Sequence, residues 1–394
     1  MRRPFRFFLT LLLTLGIFPT QSFATGYVIR VMSRNQYLGA DLTNLILAQN
    51  PEDFTEELGV VFTQIAKNNF PRRAIRLAAE VAFTRPDVIA LQEVFDFKVN
   101  GINIGPPFVD HLTETLDALS EIGQHYVAAA AVVNLNITVP YDIDGDNEPE
   151  LVSVMDRDVL LVRKGIKFEK LVGDFAAGGL CGVETNNPLG GVFHSRISED
   201  GCNYTVVASV DGPGIGEIAI ERGFVGVDAI VRGETYRIVN THLEVYRLIP
   251  DDPTTAIFQY LQSEELVGTL RETAPSGRKL ILTGDFNSSP EDKPSNLIIP
   301  PYQVITDAGF SDIWNKNFLH FNSNGFTCCQ AEDLSNRKSE LDDRIDIIFV
   351  NDPSFRSIAF VTGQVPLYPL LIPPNWASDH GGVFGWIKFS TKHW

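Results

Sequence analysis

Lys279-Leu280-Ile281-Leu282-Thr283-Gly284-Asp285-Phe286-Asn287 is the stretch that decides the architecture. The apolar run Lys279–Thr283 reads as a strand, and it stops abruptly at polar residues. The same arrangement recurs along the chain. Tyr27–Met32 is a β-branched apolar run that ends at Ser33-Arg34-Asn35, and Asp87–Leu91 reads as a buried strand that ends in Gln92-Glu93. Tyr236–Val239 leads into Asn240, His242 and Glu244. Asp346 sits inside the run Arg344–Val350, and Asp379-His380 precede a last strand, Val383–Phe389. Gly381-Gly382 between them lets backbone approach closely. Strand ends are where a rigid sheet presents a functional site, so these polar residues are the candidates.

Helical spacing separates the strands. Phe54–Lys67 carries Leu58, Val61, Phe62 and Ile65 at helical intervals, and Pro71 opens a second helix with Ile75, Ala78 and Ala82 on one face. Further helices are expected over Val109–Ile122 and Thr254–Glu272. Tyr126–Val133 and Val152–Val162 form a strand pair around a long acidic loop, and Phe224–Val231 and Tyr236–Asn240 a hairpin turning at Arg232-Gly233-Glu234. Another strand is expected at Ile358–Val361. Alternating strands and helices with hairpins mixed in predict a layered α/β fold with mixed sheets. No linker divides the body, so one catalytic domain is expected over residues 25–394.

The chain's 394 residues fit either two average domains or one large α/β domain, and 44% apolar residues supply a sizeable core. Its start reads as a signal peptide over residues 1–24. Arg2, Arg3 and Arg6 precede the short apolar run Phe7–Phe18, and Ser22-Phe23-Ala24 offers a cleavage site. A secreted or periplasmic protein is therefore expected. The alternative, an uncleaved anchor, is opposed by a run too short to span a bilayer comfortably. Cleavage removes three arginines and no acids, which moves the net charge from −17 to −20. Such a body repels polyanions, so tight duplex DNA binding is not expected, although a local basic or metal-charged cleft leaves a nuclease open.

Four cysteines suit an exported chain. Cys181 and Cys202 flank a Gly/Asn-rich loop and could close it. The adjacent Cys328 and Cys329 could pair with each other or with those two, so three connectivities stand open. A zinc site is not expected, because no further Cys or His stands at ligand spacing. Asp142-Ile143-Asp144-Gly145-Asp146-Asn147-Glu148 looks like a Ca²⁺ loop, but its twelfth position is Ser153, so it is either an incomplete site or a solvated acidic turn. The apolar, Pro-rich segment Val365–Trp376 runs into Asp379-His380. It could touch a lipid surface or pack on the protein itself.

Taken singly, each candidate has an ordinary reading as a solvated acid, a turn residue or a core histidine. Asp346 is harder to dismiss. It lies between Ile345 and Ile347-Ile348-Phe349, where a carboxylate needs a partner, and His380 is available. In chain order stand Ser33-Arg34-Asn35, Leu91-Gln92-Glu93-Val94, Asn240-Thr241-His242-Leu243, Thr283-Gly284-Asp285-Phe286-Asn287, Arg344-Ile345-Asp346-Ile347-Ile348 and Ser378-Asp379-His380-Gly381. This series resembles the endonuclease/exonuclease/phosphatase superfamily, which includes pancreatic-type deoxyribonucleases, abasic-site endonucleases, inositol polyphosphate phosphatases and sphingomyelinases. The resemblance implies a four-layer α/β sandwich, deoxyribonuclease I-like, with two mixed sheets packed face to face and helices outside.

The resemblance also implies a divalent ion, Mg²⁺ or else Mn²⁺ or Ca²⁺, with Glu93 as principal ligand, Asn35 beside it and Asp379 nearby. Oxygen donors of this kind suit such hard ions. His380 corresponds to the family's C-terminal catalytic histidine with Asp346 orienting it. Asp285 and Asn287 match the pair that handles the attacking water and a phosphate oxygen, and His242 matches a second histidine. Asn240 and Arg157 are the implied substrate contacts, Arg157 standing in the place of a phosphate-contacting arginine. The chemistry suits these residue types: Mg²⁺ and histidinium neutralise the phosphate, a base activates water and an acid protonates the leaving oxygen. Asp285 and His380 both remain candidates for the base. The expectation is a secreted, metal-dependent phosphodiesterase, monomeric, tilted toward a lipid or small-molecule phosphoester as in sphingomyelinases. A secreted deoxyribonuclease, a phosphomonoesterase and a non-catalytic binding protein on the same fold are the alternatives.

Overall fold

The computed structural model describes residues 27–186, 192–246, 248, 252–295, 298–318, 324–366 and 373–390. The expected signal peptide, residues 1–24, lies outside the described residues, as do Leu367, Tyr368, Leu370, Leu371 and Ile372 of the apolar segment. Among the described residues no helix is long and apolar enough to cross a membrane.

Two large mixed sheets are present. The first runs in the order Arg356–Thr362, Gly382–Lys388, Val28–Asn35, Val88–Gln92, Glu150–Arg163, Asp96–Val99, with Tyr126–Tyr141 also paired to Glu150–Arg163. The second runs Ser311–Asp312, Asp346–Val350, Lys279–Asp285, Glu234–His242, Gly223–Val231, Gly201–Asn203, Arg196–Ser198, with Lys167–Lys170 beside Gly223–Val231. Each sheet holds a parallel pair near its middle: Val28–Asn35 with Val88–Gln92, and Glu234–His242 with Lys279–Asp285. These are the strands whose ends carry the polar candidates.

The sheets face each other across a buried layer. Ile29, Val31, Val88, Ala90, Leu160 and Val162 of the first meet Val225, Val227, Ile238, Ile281, Ile348 and Val350 of the second. On the far side of the first sheet, helices Phe70–Thr84 and His111–Glu121 pack Leu77, Val81 and Leu119 onto Met32, Ile89, Leu91 and Leu161. On the far side of the second, Thr254–Thr273 packs Leu266, Val267 and Leu270 onto Val239, Leu280, Leu282 and Phe349. Helices, sheet, sheet and helices make the four layers of a deoxyribonuclease I-like sandwich.

Details depart from the sequence reading for physical reasons. Ile75 is 59% exposed, and Ala74, Leu77, Ala78 and Val81 form the inward face instead. The stripe shifts because Arg73 turns inward, where its guanidinium lies over the Phe70 and Tyr37 rings and donates to Gln36 O and Tyr37 O. The hairpin strands run on to Tyr141 and from Glu150, so the acidic loop is shorter than expected. The cysteines pair as Cys181–Cys202 and Cys328–Cys329. Gly284 is required by close approach: its φ is +152°, and a Cβ there would stand 1.9 Å from Thr241 O.

Asn240 lies at the sheet interface rather than at a substrate. It is fully buried, donates to Leu91 O at 2.8 Å and accepts from Gln92 Nε2 at 2.6 Å, so its amide ties the second sheet to the first. This corrects the expectation of substrate contact. Asn240→Ala should destabilise the protein by about 1–3 kcal/mol in urea unfolding, since it leaves buried polar groups unpaired, and should leave KM unchanged. A raised KM at an unchanged unfolding midpoint would return Asn240 to the substrate.

Candidate active site

Register builds the centre of the site. His242 stands opposite Asp285 across the parallel pair, and Asp285 stands opposite Asp346 across the next, antiparallel pair. The three side chains therefore share one end of the second sheet. His380 enters from the loop before Gly382–Lys388 of the first sheet, and its Nδ1 lies 2.8 Å from Asp346 Oδ2. The loop is tied down locally: His380 N donates to Ser378 Oγ at 3.1 Å, and Ser378 Oγ donates to Asn35 O at 2.9 Å.

Asp285 is the hub. Its Oδ2 is 3.7 Å from His242 Nε2 and 3.8 Å from His380 Nδ1, and it accepts from Asn35 Nδ2 at 3.0 Å. Asn35 Nδ2 also donates to Glu93 Oε1 at 3.0 Å, while Leu38 N donates to Glu93 Oε2 at 2.8 Å. Asn287 N donates to Asp285 Oδ1 at 3.0 Å, and Asn287 Nδ2 lies 3.2 Å from His242 Nε2. Asp379 Oδ1 is 4.0 Å from His380 Nε2. Glu93 and Asn287 both sit at positive φ, 53° and 46°, a backbone cost that concentrates at functional sites. The structure thus gathers Asn35, Glu93, His242, Asp285, Asn287, Asp346, Asp379 and His380.

Arg157 is not among them. Its Nη2 is 2.5 Å from Asp110 Oδ1 and its Nε donates to Val94 O at 3.2 Å. Along its strand it shares the parity of Val159 and Leu161, which face the helices, so it points away from the sheet interface. Asp156 and Asp158 have the opposite parity and lie on the interface side with Leu160 and Val162. The arginine at the site is Arg222. Its Nη1 is 3.1 Å from His242 Nδ1 and its Nη2 is 3.4 Å from Glu244 Oε1. Asp158 carried a sequence signal, a carboxylate directly before Val159-Leu160-Leu161-Val162, like that of Asp346. Glu221-Arg222-Gly223 carried none beyond a turn.

The environment sets the two histidines apart. Burial, Arg222 and His380 push His242 well below the usual histidine range. Burial also opposes charge on His380, but Asp346, Asp379 and Asp285 outweigh it and hold His380 well above that range. The surroundings accordingly favour the neutral form of His242 and the charged form of His380. The carboxyls are crowded: burial and Asp346 push Asp285 up to about 7, burial and Glu93 push Asp156 up to about 7, and burial chiefly lifts Asp379 to about 6.

Such crowding suits a cation. Donor atoms of Asp285, Asp346 and His380 all lie within 4.8 Å of one another, and Asp346 Oδ1 is buried without a hydrogen-bond partner. Glu93, Asn35 and Asp379 border this group and add oxygen donors, a set that fits a hard divalent ion. The trio of half-buried Asp142 and exposed Asp144 and Asp146 also converges, but the Asp142 carboxylate already accepts from Gly145 N and Asn147 N.

The two arginines therefore separate in function. Arg222→Met should lower kcat/KM by roughly 10²-fold, the scale for losing one positioned charge donor. Arg157→Ala should reduce stability and leave kcat/KM within about threefold, because it disturbs packing and not positioned catalytic groups. Steady-state kinetics with an unfolding curve for each variant decide the matter, and the reverse pattern would restore the sequence expectation.

The model of the Endonuclease/Exonuclease/phosphatase family matches residues 65–380. No curated protein matches. Similar solved structures include an endonuclease/exonuclease/phosphatase from Beutenbergia cavernae, 18% identical, covering 92% of this chain and 72% of that one at a TM-score of 0.49. A family protein from Bacteroides thetaiotaomicron is 16% identical, with 93% and 99% covered and a TM-score of 0.48. A mannosyl-6-phosphatase from the same organism is 17% identical, with 92% and 100% covered and a TM-score of 0.46. The matched segment takes in every strand end that carries the site except Asn35, and the chain belongs to the endonuclease/exonuclease/phosphatase family.

Proposed function

We propose that the protein is an exported, divalent-cation-dependent phosphodiesterase whose catalytic domain spans residues 25–394 and acts as a monomer. The observation that carries this reading is a carboxyl, Asp285, whose Oδ2 lies 3.7 Å from His242 Nε2 and 3.8 Å from His380 Nδ1, with Asp346 behind His380. Environments that push titratable groups apart are how one site runs acid and base chemistry together.

In this reading Asp285 orients the attacking water and accepts its proton, held in place by Asn287 N and the Asn35 amide. His380, kept protonated and aligned by Asp346, stabilises the developing oxyanion and gives its proton to the leaving oxygen. Each such transfer is worth roughly 10²–10⁴ in rate. Neutral His242, fixed between Arg222 and Asn287, contacts a phosphate oxygen, and Arg222 adds positive charge beside it. Glu93, Asn35 and Asp379 would hold a cation of the Mg²⁺, Mn²⁺ or Ca²⁺ type, which would supply neutralisation of the phosphate charge.

A lipid or small phosphodiester is the preferred substrate. The net charge of −17 disfavours a long polyanion, and Val365, 78% exposed, offers apolar contact at the start of the Pro-rich segment. Turnover should be faster on sphingomyelin or lysophospholipid vesicles or a soluble chromogenic phosphodiester than on plasmid DNA, and should vanish in EDTA. Efficient nicking of plasmid with untouched vesicles would replace this substrate by a nucleic acid.

The crowded carboxyls give a second check. Asp285, Asp156 and Asp379 have folded-state pKa values above their ordinary 3.8. Between about pH 4 and 7 the folded protein then binds more protons than the unfolded chain, so these groups lower stability as pH rises. In EDTA the melting temperature should fall across that window, and millimolar Mg²⁺ or Mn²⁺ should raise it more at pH 8 than at pH 5. Melts that ignore the cation at pH 8 would remove the metal from the site.

A further inference from the structure

The segment Thr327–Gln330 is fastened to both catalytic elements. Thr327 is fully buried, and its Oγ1 accepts from Asp346 N at 3.1 Å and Ile345 N at 3.2 Å. Thr327 O accepts from Gly381 N at 2.6 Å, and Gln330 N donates to Asp379 O at 2.7 Å. The backbone neighbours of His380 on both sides, and the strand of its partner Asp346, are therefore clamped to the residues that flank Cys328-Cys329. The clamp sets the cysteines against the catalytic histidine: both sulfurs and a ring nitrogen of His380 lie within 4.8 Å of one another. Cys329 is exposed and reachable from solvent.

We infer that reduction of the Cys328–Cys329 disulfide opens a site here for a thiophilic metal ion, typified by Zn²⁺, with Cys328, Cys329 and His380 as its protein ligands. A dithiol or phosphine reductant delivers two electrons to the S–S bond. The sulfurs leave as two thiols, and the reductant leaves as its own disulfide or, with water, as the phosphine oxide. On metal binding the two thiols ionise and His380 Nε2 gives up its proton, so three protons pass to solvent. His380 Nδ1 is engaged by Asp346 at 2.8 Å, which leaves Nε2 as the donor nitrogen. A carboxylate behind the second nitrogen is the arrangement that orients metal-ligating histidines.

Ligand softness separates this site from the neighbouring oxygen-rich one. Thiolate and imidazole select Zn²⁺ or Cu⁺, and Mg²⁺ does not compete for them. No local Cys/His spacing announced the site because His380 is supplied by the far end of the chain and arrives only through the fold. An ion on His380 Nε2 excludes the proton that nitrogen carries. Zinc under reducing conditions therefore switches hydrolysis off. The switching rests on the proposed role of His380, whereas binding itself does not.

The test uses the full mature chain in millimolar Mg²⁺, reduced with a phosphine that is then removed under anaerobic conditions. Zn²⁺ titrated against a chromophoric chelator should show one more tight equivalent in the reduced protein than in the oxidised protein. Co²⁺ in place of Zn²⁺ should give a thiolate charge-transfer band in the reduced protein alone. The Cys328→Ser/Cys329→Ser variant should lack the band, and His380→Ala should weaken zinc binding by roughly tenfold or more. Reoxidation of the same wild-type sample should release the ion, a readout that no misfolded variant can confuse. Equal zinc uptake in both redox states, or no thiolate band, overturns the site. A band from a protein inactive on every phosphoester leaves the site standing and removes the proposed function instead.

Discussion

Carboxylates buried between two β-sheets are the constraint on which the rest of the molecule is arranged. Removing a charged carboxyl from water costs several kcal/mol unless charges or hydrogen bonds meet it. The interface between the sheets is hydrocarbon for most of its depth, and it turns polar only at the end where His242, Asp285 and Asp346 lie in register. A rung of amides, Asn240, Gln92 and Asn35, marks the transition. Asn240 and Gln92 link the sheets by neutral hydrogen bonds, Asn35 donates to the Asp285 and Glu93 carboxyls, and none of the three brings further charge. Above them the carboxyls are met by Arg222 and by His380, and their remaining unpartnered oxygens leave room for a cation.

The loop that delivers His380 is held by positive charge as well as by the packing of Trp376 and Ala377. Arg73 donates to Ala377 O, Arg76 to Trp376 O and Arg34 to His380 O. All three arginines are buried, and Arg34 also pairs with Glu80. A guanidinium offers several donors in a fixed plane, so it can satisfy consecutive carbonyls of an irregular segment that no strand partner covers. Helix Phe70–Thr84 therefore does two jobs: its apolar face covers the first sheet, and its inward arginines fix the loop. This is also why the apolar stripe of that helix misleads when read from sequence, since Ile75 is displaced outward by the arginines that turn in.

What was legible in the sequence follows the same physics. A carboxylate inside an apolar run has to be explained, so Asp346 and its histidine can be paired from the residues alone. The ends of Tyr27–Met32, Asp87–Leu91 and Lys279–Thr283 announced Asn35, Glu93 and Asp285 because strands end where the hydrocarbon layer ends. Arg157 and Arg222 show the limit. The strand around Arg157 is covered on both faces, by helices on one side and by the other sheet on the opposite side. Alternation then has no polar face to reveal, and parity alone cannot say which side holds the site. Register shifts at Ala128/Ala130 and Val133/Leu135 in the partner strand blur the reading further. Arg222 lies at a strand start, where a charged residue is unremarkable, and only the fold brings it to His242.

The negative body and the anionic substrate are compatible because they act over different distances. At physiological ionic strength the Debye length is about 8 Å, so the net charge of the chain is felt mainly by ligands that lie along its surface. A long polyanion must lay many phosphates against acidic ground, and each adds repulsion. The small phosphodiester proposed as substrate would present one phosphate to Arg222, His380 and the proposed cation, which would dominate within a few ångströms. The same cluster explains why two kinds of ion can be told apart there. Asp379 of the oxygen set borders His380, and so do the softer donors Cys328 and Cys329, which cannot take an ion as long as they are bonded to each other. Discrimination then depends on the redox state of one pair of sulfurs, and the histidine that both sets border is the point at which that state reaches the chemistry.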